Sequence, residues 1–129
     1  MKYLCLAYGD EEKFNAMSKS QLDELMAKIM VYDEELQRSG HLVSGMSLGW
    51  SATTLRLASG KLAITDGPFT ATKEVVGGLV IIEARDLNEA IQVASLHPAA
   101  RIGEDLGWGV EVRPIEENPP CKPQPADRG

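Results

Sequence analysis

The stretch Gly77-Gly78-Leu79-Val80-Ile81-Ile82 narrows the choice of fold more than any other in this chain. Its apolar residues do not alternate with polar ones, as they would in a strand with one wet face. It is also far shorter than the ~20 residues a membrane-spanning helix needs. The expected element is a central strand over residues 77–84, buried on both faces. The rest of the chain must then supply two covers.

One cover is legible as a pair of helices. Ser18-Lys19-Ser20-Gln21 can form a capping box, with Ser18 as N-cap and Gln21 reaching back. Leu22, Leu25, Met26, Ile29, Tyr32 or Asp33, and Leu36 then recur at helical spacing, and Gly40 closes the helix. Asp86-Leu87-Asn88-Glu89 opens a second helix in the same way. Its core face is Leu87, Ala90, Ile91 and Ala94, and Pro98 is expected to stop it near His97.

Further strands are expected at 2–8, 41–46 and 108–114, the last with clean alternation of Val110 and Val112 against Glu111 and Arg113. Residues 51–57 and 61–65 flank Ala58-Ser59-Gly60, a hairpin signal. Residues 9–17 read as a loop. Without the hairpin the order is β-α-β-β-α-β, the ferredoxin-like arrangement. The expected fold is therefore α+β: an antiparallel sheet with two helices on one face and an inserted β-hairpin. Two helices cover one face only, so sheet-to-sheet dimerisation is the expected second cover.

At 129 residues, with 43% hydrophobic and 25% charged residues, the chain is one globular domain. A net charge of −6 without a basic stripe argues against nucleic acid or an anionic membrane surface as partner. Cys5 lies in an apolar run and Cys121 in a proline-rich segment, so no disulfide framework is expected and a reduced, cytoplasmic setting is the simple reading. No signal-peptide pattern opens the chain. Five of the seven prolines fall between Pro114 and Pro125, so residues 116–129 are expected to be a flexible tail after a domain at 1–115.

Thr65-Asp66-Gly67-Pro68-Phe69-Thr70-Ala71-Thr72-Lys73-Glu74 is richer than a turn requires. With the opening Lys2-Tyr3-Leu4 through Tyr8-Gly9-Asp10-Glu11 and the close Gly109-Val110-Glu111-Val112-Arg113-Pro114-Ile115, it resembles the DGPF branch of the YCII-related superfamily. That resemblance implies a homodimer whose sheets face each other as a barrel-like shell with ligand clefts. It implies a His–Asp pair as the superfamily's active site, and a dehydrochlorinase of a chlorinated aromatic ring in one branch. It also implies a link to sigma factors of the extracytoplasmic-function type for some DGPF domains.

Asp66 and His97 are the catalytic candidates. Asp66 stands at a strand end on the stiff Gly67-Pro68 turn, as a general base, as a partner that orients a histidine, or as an Asx-turn residue. His97 falls at an expected helix C-terminus, which favours the imidazolium. Lys73, Glu74, Arg113 and Tyr8 are the substrate-binding candidates; adjacent Lys73 and Glu74 point opposite ways on a strand, and Arg113 suits a carboxylate or pairs with Glu111. His41 reads as structural. Phe69 reads as a loop anchor, Trp50 and Trp108 as core or interface, and Met17, Met26, Met30 and Met46 as core filling. No phosphate loop, nucleophile elbow, zinc spacing or calcium loop is present, so no metal or cofactor is expected. The functional expectation is cofactor-free lyase or isomerase chemistry on a small organic molecule, with a ligand- or partner-binding module as the alternative.

Overall fold

The computed structural model describes residues 1–117. The elements are β1 (Lys2–Asp10), α1 (Glu11–Asn15), α2 (Lys19–Arg38), β2 (Leu42–Ser47), β3 (Thr53–Ala58), β4 (Lys61–Asp66), β5 (Glu74–Glu83), α3 (Leu87–Ala94), α4 (Pro98–Arg101) and β6 (Gly109–Pro114). A 3-10 turn at Glu104–Leu106 precedes β6. Four strands form one antiparallel sheet in the order β2-β5-β1-β6; β3 and β4 form a separate ribbon. With that ribbon set aside, the main elements follow the expected ferredoxin-like order. The expected tail lies outside the described residues apart from its first two positions.

The first capping box forms in full, and the second keeps its N-cap bond while Glu89 reaches one residue further back, to Arg85. The Ser18 side chain accepts from the Gln21 N–H while the Gln21 side chain accepts from the Ser18 N–H. The Asp86 carboxylate accepts from the Glu89 N–H, and the Glu89 carboxylate accepts from the Arg85 N–H. The core lies between the sheet and these helices: Tyr3, Cys5 and Ile82 from the sheet meet Leu36 of α2 and Ala90, Val93 and Ala94 of α3. Burial pushes the Cys5 thiol up to about 11, so it acts as a small apolar side chain.

Four expectations need correction. Residues 9–17 are not a plain loop: Asp10 caps α1, its carboxylate accepting the Lys13 N–H, and the caps of short helices are easily read as turns. The second helix stops at Ala94, three residues before His97, because Pro98 begins a further helix as its first residue. Strand β5 is not buried on both faces within the chain. Ile82 is fully buried on the helix side, whereas Leu79 and Ile81 on the other face stay half-buried. That open face is continued by Leu4 and Leu6 of β1, which pair with Ile81 and Leu79. Met26, Met30 and Met46 are exposed rather than core filling.

Candidate functional site

Row by row, the helix-facing side of the sheet loses bulk. Tyr3 and Ile82 pair at one end, Cys5 and Val80 follow, and Ala7 and Gly78 come last. In β2, Gly45 lies opposite Val80, where an added Cβ would stand 2.9 Å from a Val80 methyl. The β1–β5 register shifts at Ala7/Tyr8, leaving Gly77 as an extra residue in the ladder. Small residues remove the floor beneath α2 and leave a cavity of about 810 Å³. Glycines inside strands often mark such close approaches.

Helix α2 roofs the cavity with Met26, Ile29, Asp33 and Gln37, and Phe14, Trp50 and Trp108 form an aromatic wall. Phe14 and Trp50 lie 5.9 Å apart, tilted by 52°. Trp108 lies against two glycines: a Cβ on Gly9 would sit 3.0 Å from its indole, and one on Gly103 would sit 2.5 Å from its Cε3. The cavity has the size and apolar character of a small-molecule site.

Two titratable residues share the lining, Asp33 on α2 and His97 before α4. His97 is the N-cap of α4, its Nδ1 accepting from the Ala99 N–H at 3.0 Å. The expected helix C-terminus is therefore the opposite end of a helix, and the expected cationic bias reverses. Burial pushes the imidazole below its ordinary 6.5, with Asp33 pulling the other way. Asp33 is exposed in the single chain, yet crowding at the cavity wall raises its carboxyl above the ordinary 3.8, His97 opposing. Arg101 joins the two elements: its guanidinium lies 4.2 Å from the Tyr32 ring centroid and pairs with Glu35 of α2.

The other candidates do not gather here. Asp66 is exposed at the end of β4, outside the cavity lining, with no side-chain hydrogen bond among the described residues. It makes neither the expected Asx turn nor a contact with a histidine. The turn is held instead by the Gly67 N–H donating to the Ala52 carbonyl at 2.8 Å and by Thr54 Oγ1 donating to the Gly67 carbonyl at 2.7 Å. Gly67 takes a positive φ, 110°, which glycine adopts without strain. Phe69 is 69% exposed under the Arg56 guanidinium, not a buried anchor.

Lys73 is exposed before β5, and Glu74 pairs across the ladder with Asp10. Tyr8 lines the cavity with part of its chain, but its hydroxyl donates to Glu111 at 2.8 Å. Arg113 donates to the same carboxylate at 2.7 Å, the alternative that pairs it with Glu111. Those two bonds, the Arg113 bond first, hold Glu111 below the usual carboxylate range, and the Glu111 bond raises Tyr8. This polar trio stands on the open face of the sheet, in register with Leu6 and Leu4.

The architecture is a small α+β domain with an aromatic-walled cavity between a helix and an antiparallel sheet, fitted with a carboxylate and an imidazole. The chain belongs to the YCII-related domain family, whose model matches residues 1–117. An uncharacterised protein of Rhizobium meliloti (strain 1021) is 32% identical over 117 residues, covering 89% of this chain and 92% of that protein. A solved structure, 5-chloro-2-hydroxyhydroquinone dehydrochlorinase from Burkholderia phenoliruptrix AC1100 in complex with 2,5-dihydroxybenzoquinone, is 18% identical with a TM-score of 0.47, covering 92% of this chain and 96% of that one.

Among the described residues, no helix is long and apolar enough to cross a membrane.

Proposed function

We propose that the chain binds a small, largely apolar cyclic molecule in the cavity under α2 and performs cofactor-free acid–base chemistry on it, of the lyase or isomerase type. The observation that carries this reading is the meeting of Asp33 and His97 in one aromatic-walled cavity. Burial raises the Asp33 carboxyl and lowers the His97 imidazole, each opposed by the other's charge, so their proton affinities converge and a proton can be shared between base and acid. Asp33 replaces Asp66 as the carboxylate of the site, and His97 keeps its place.

A thermal-shift screen of small cyclic ketones, phenols and carboxylic acids tests the reading. Compounds that stabilise wild type and Asp66→Ala, but not Asp33→Asn or His97→Asn, support it. Compounds that stabilise all four chains equally place the site elsewhere.

We also propose a homodimer of the DGPF type, which supports a second reading as a partner-binding module. In the β3–β4 ribbon, Leu55 pairs with Ile64 and Leu57 with Leu62, so one face carries four apolar side chains, each 58–78% exposed. A two-stranded ribbon is marginal alone. The open sheet face with Leu4, Leu6, Leu79 and Ile81 is the matching unpartnered surface.

A further inference from the structure

The N-cap bond of His97 decides more than the start of α4. Nδ1 accepts the Ala99 N–H, so its lone pair is committed to the backbone and cannot hold a proton without losing that bond. In a neutral ring the single proton is then on Nε2. Pro98 as first residue of α4 has no N–H, so the Ala99 N–H is the first donor that the helix presents to its cap. The side chain is half-buried in the cavity lining. Asp33 of α2 is the charged group that faces the ring, while Arg101 of α4 is engaged by Glu35 and Tyr32.

Resting on the proposed function, we propose that His97 works as a neutral imidazole fixed as the Nε2–H tautomer, donating to an acceptor oxygen of the bound molecule, while the Asp33 carboxylate takes the proton. These roles define the substrate class as a cyclic enolisable carbonyl compound. The carboxylate of Asp33 removes a proton from the carbon next to the carbonyl. The C–H electron pair becomes a carbon–carbon double bond, and the carbonyl π pair moves to oxygen, where Nε2–H donates to the enolate. Return of the proton from Asp33 to carbon closes the step, with no redox partner. A neutral donor suits this task because it stabilises the oxyanion without competing for the base. An imidazolium beside Asp33 would instead stabilise the carboxylate and weaken it as a base.

Nitrogen-15 NMR of the free chain reads the tautomer without any ligand. At about pH 7 to 8, above the ordinary imidazole value of 6.5 from which burial lowers His97, the ring is expected to be neutral with its proton on Nε2. An Nδ1–H tautomer, or an imidazolium at neutral pH, overturns the role given to His97. The substrate class is read from α-proton exchange of 2-indanone in D2O, followed by proton NMR. Wild type is expected to accelerate exchange over buffer, and Asp33→Asn to lose the acceleration by at least ~100-fold.

Two variants separate chemistry from folding. His97→Asn keeps a cap acceptor but has no donor at the Nε2 position; it should fold like wild type and lose ~100-fold in exchange. His97→Gln reaches the Nε2 position but loses the cap; it should be less stable and retain more exchange. The reverse ranking overturns the donor role. Binding of 2-indanone in the cavity without faster exchange leaves the ligand site standing and removes the enolisation.

Discussion

Replacing Gly103 by Ala should damage the fold through the wall of the cavity. Gly103 has φ +84°, a backbone state that costs an L-residue about 1–2 kcal/mol. Its added methyl would stand 2.5 Å from Trp108 Cε3 and 2.7 Å from Cγ, well inside contact distance. The indole cannot retreat freely, because Gly9 already lies against its other part, with a 3.0 Å gap at the position of a Cβ. Overpacking of this kind costs about 1–3 kcal/mol. The sum, about 2–5 kcal/mol, corresponds to a fall in Tm of roughly 8–20 °C for a chain of this size.

Gly60→Ala is the matched control, since Gly60 has φ +76° and nothing within 4 Å of an added Cβ. It should lose only the backbone part, about 1–2 kcal/mol. Calorimetric melting and urea titration of both variants read the difference. Equal losses at Gly103 and Gly60 would refute the trapped-indole argument.

Four further outcomes are expected. His97 titrates below 6.5 in the folded chain, so the unfolded chain binds more protons in the window between the folded value and 6.5. Stability should therefore fall as pH drops through that window and level off above it; Tm against pH should lose this slope in His97→Asn. The raised Asp33 has the opposite sign just above 3.8, where stability should decline as pH rises, and Asp33→Asn should remove that decline in the same melting series. Asp66→Ala should change stability by no more than ~0.5 kcal/mol in urea titration, because its exposed side chain makes no hydrogen bond among the described residues. Leu57→Glu with Leu62→Glu should turn a micromolar dimer into a monomer in sedimentation; a wild-type monomer would remove the dimer itself.

The main elements were legible because their signals are local. A helix start needs only four residues to be read: Ser18-Gln21 makes a full capping box, and Asp86 caps α3 through the Glu89 N–H. Pro98 misled because a proline both forbids the helix before it and suits the first turn of the next; one residue served both ends. The site was harder. Asp66 sits in a distinctive motif, yet the fold carries it on the separate β3–β4 ribbon. Asp33 was visible as a carboxylate within the apolar stripe of α2, between Ile29 and Leu36, a place where a charge needs a reason. The strand glycines Gly9, Gly45, Gly77 and Gly78 are the other signal that the sequence holds. Only strand register shows that several face the same helix.

Chemical-shift mapping on the labelled chain is the most direct test of the claim that function resides under α2. With small cyclic ketones as probes, perturbations should concentrate at Gly9, Gly45, Gly77, Gly78 and the Trp108 indole, and vanish in Asp33→Asn. Perturbations centred on Asp66, Lys73 and the β3–β4 ribbon, or unchanged cavity shifts with every probe, would contradict the account.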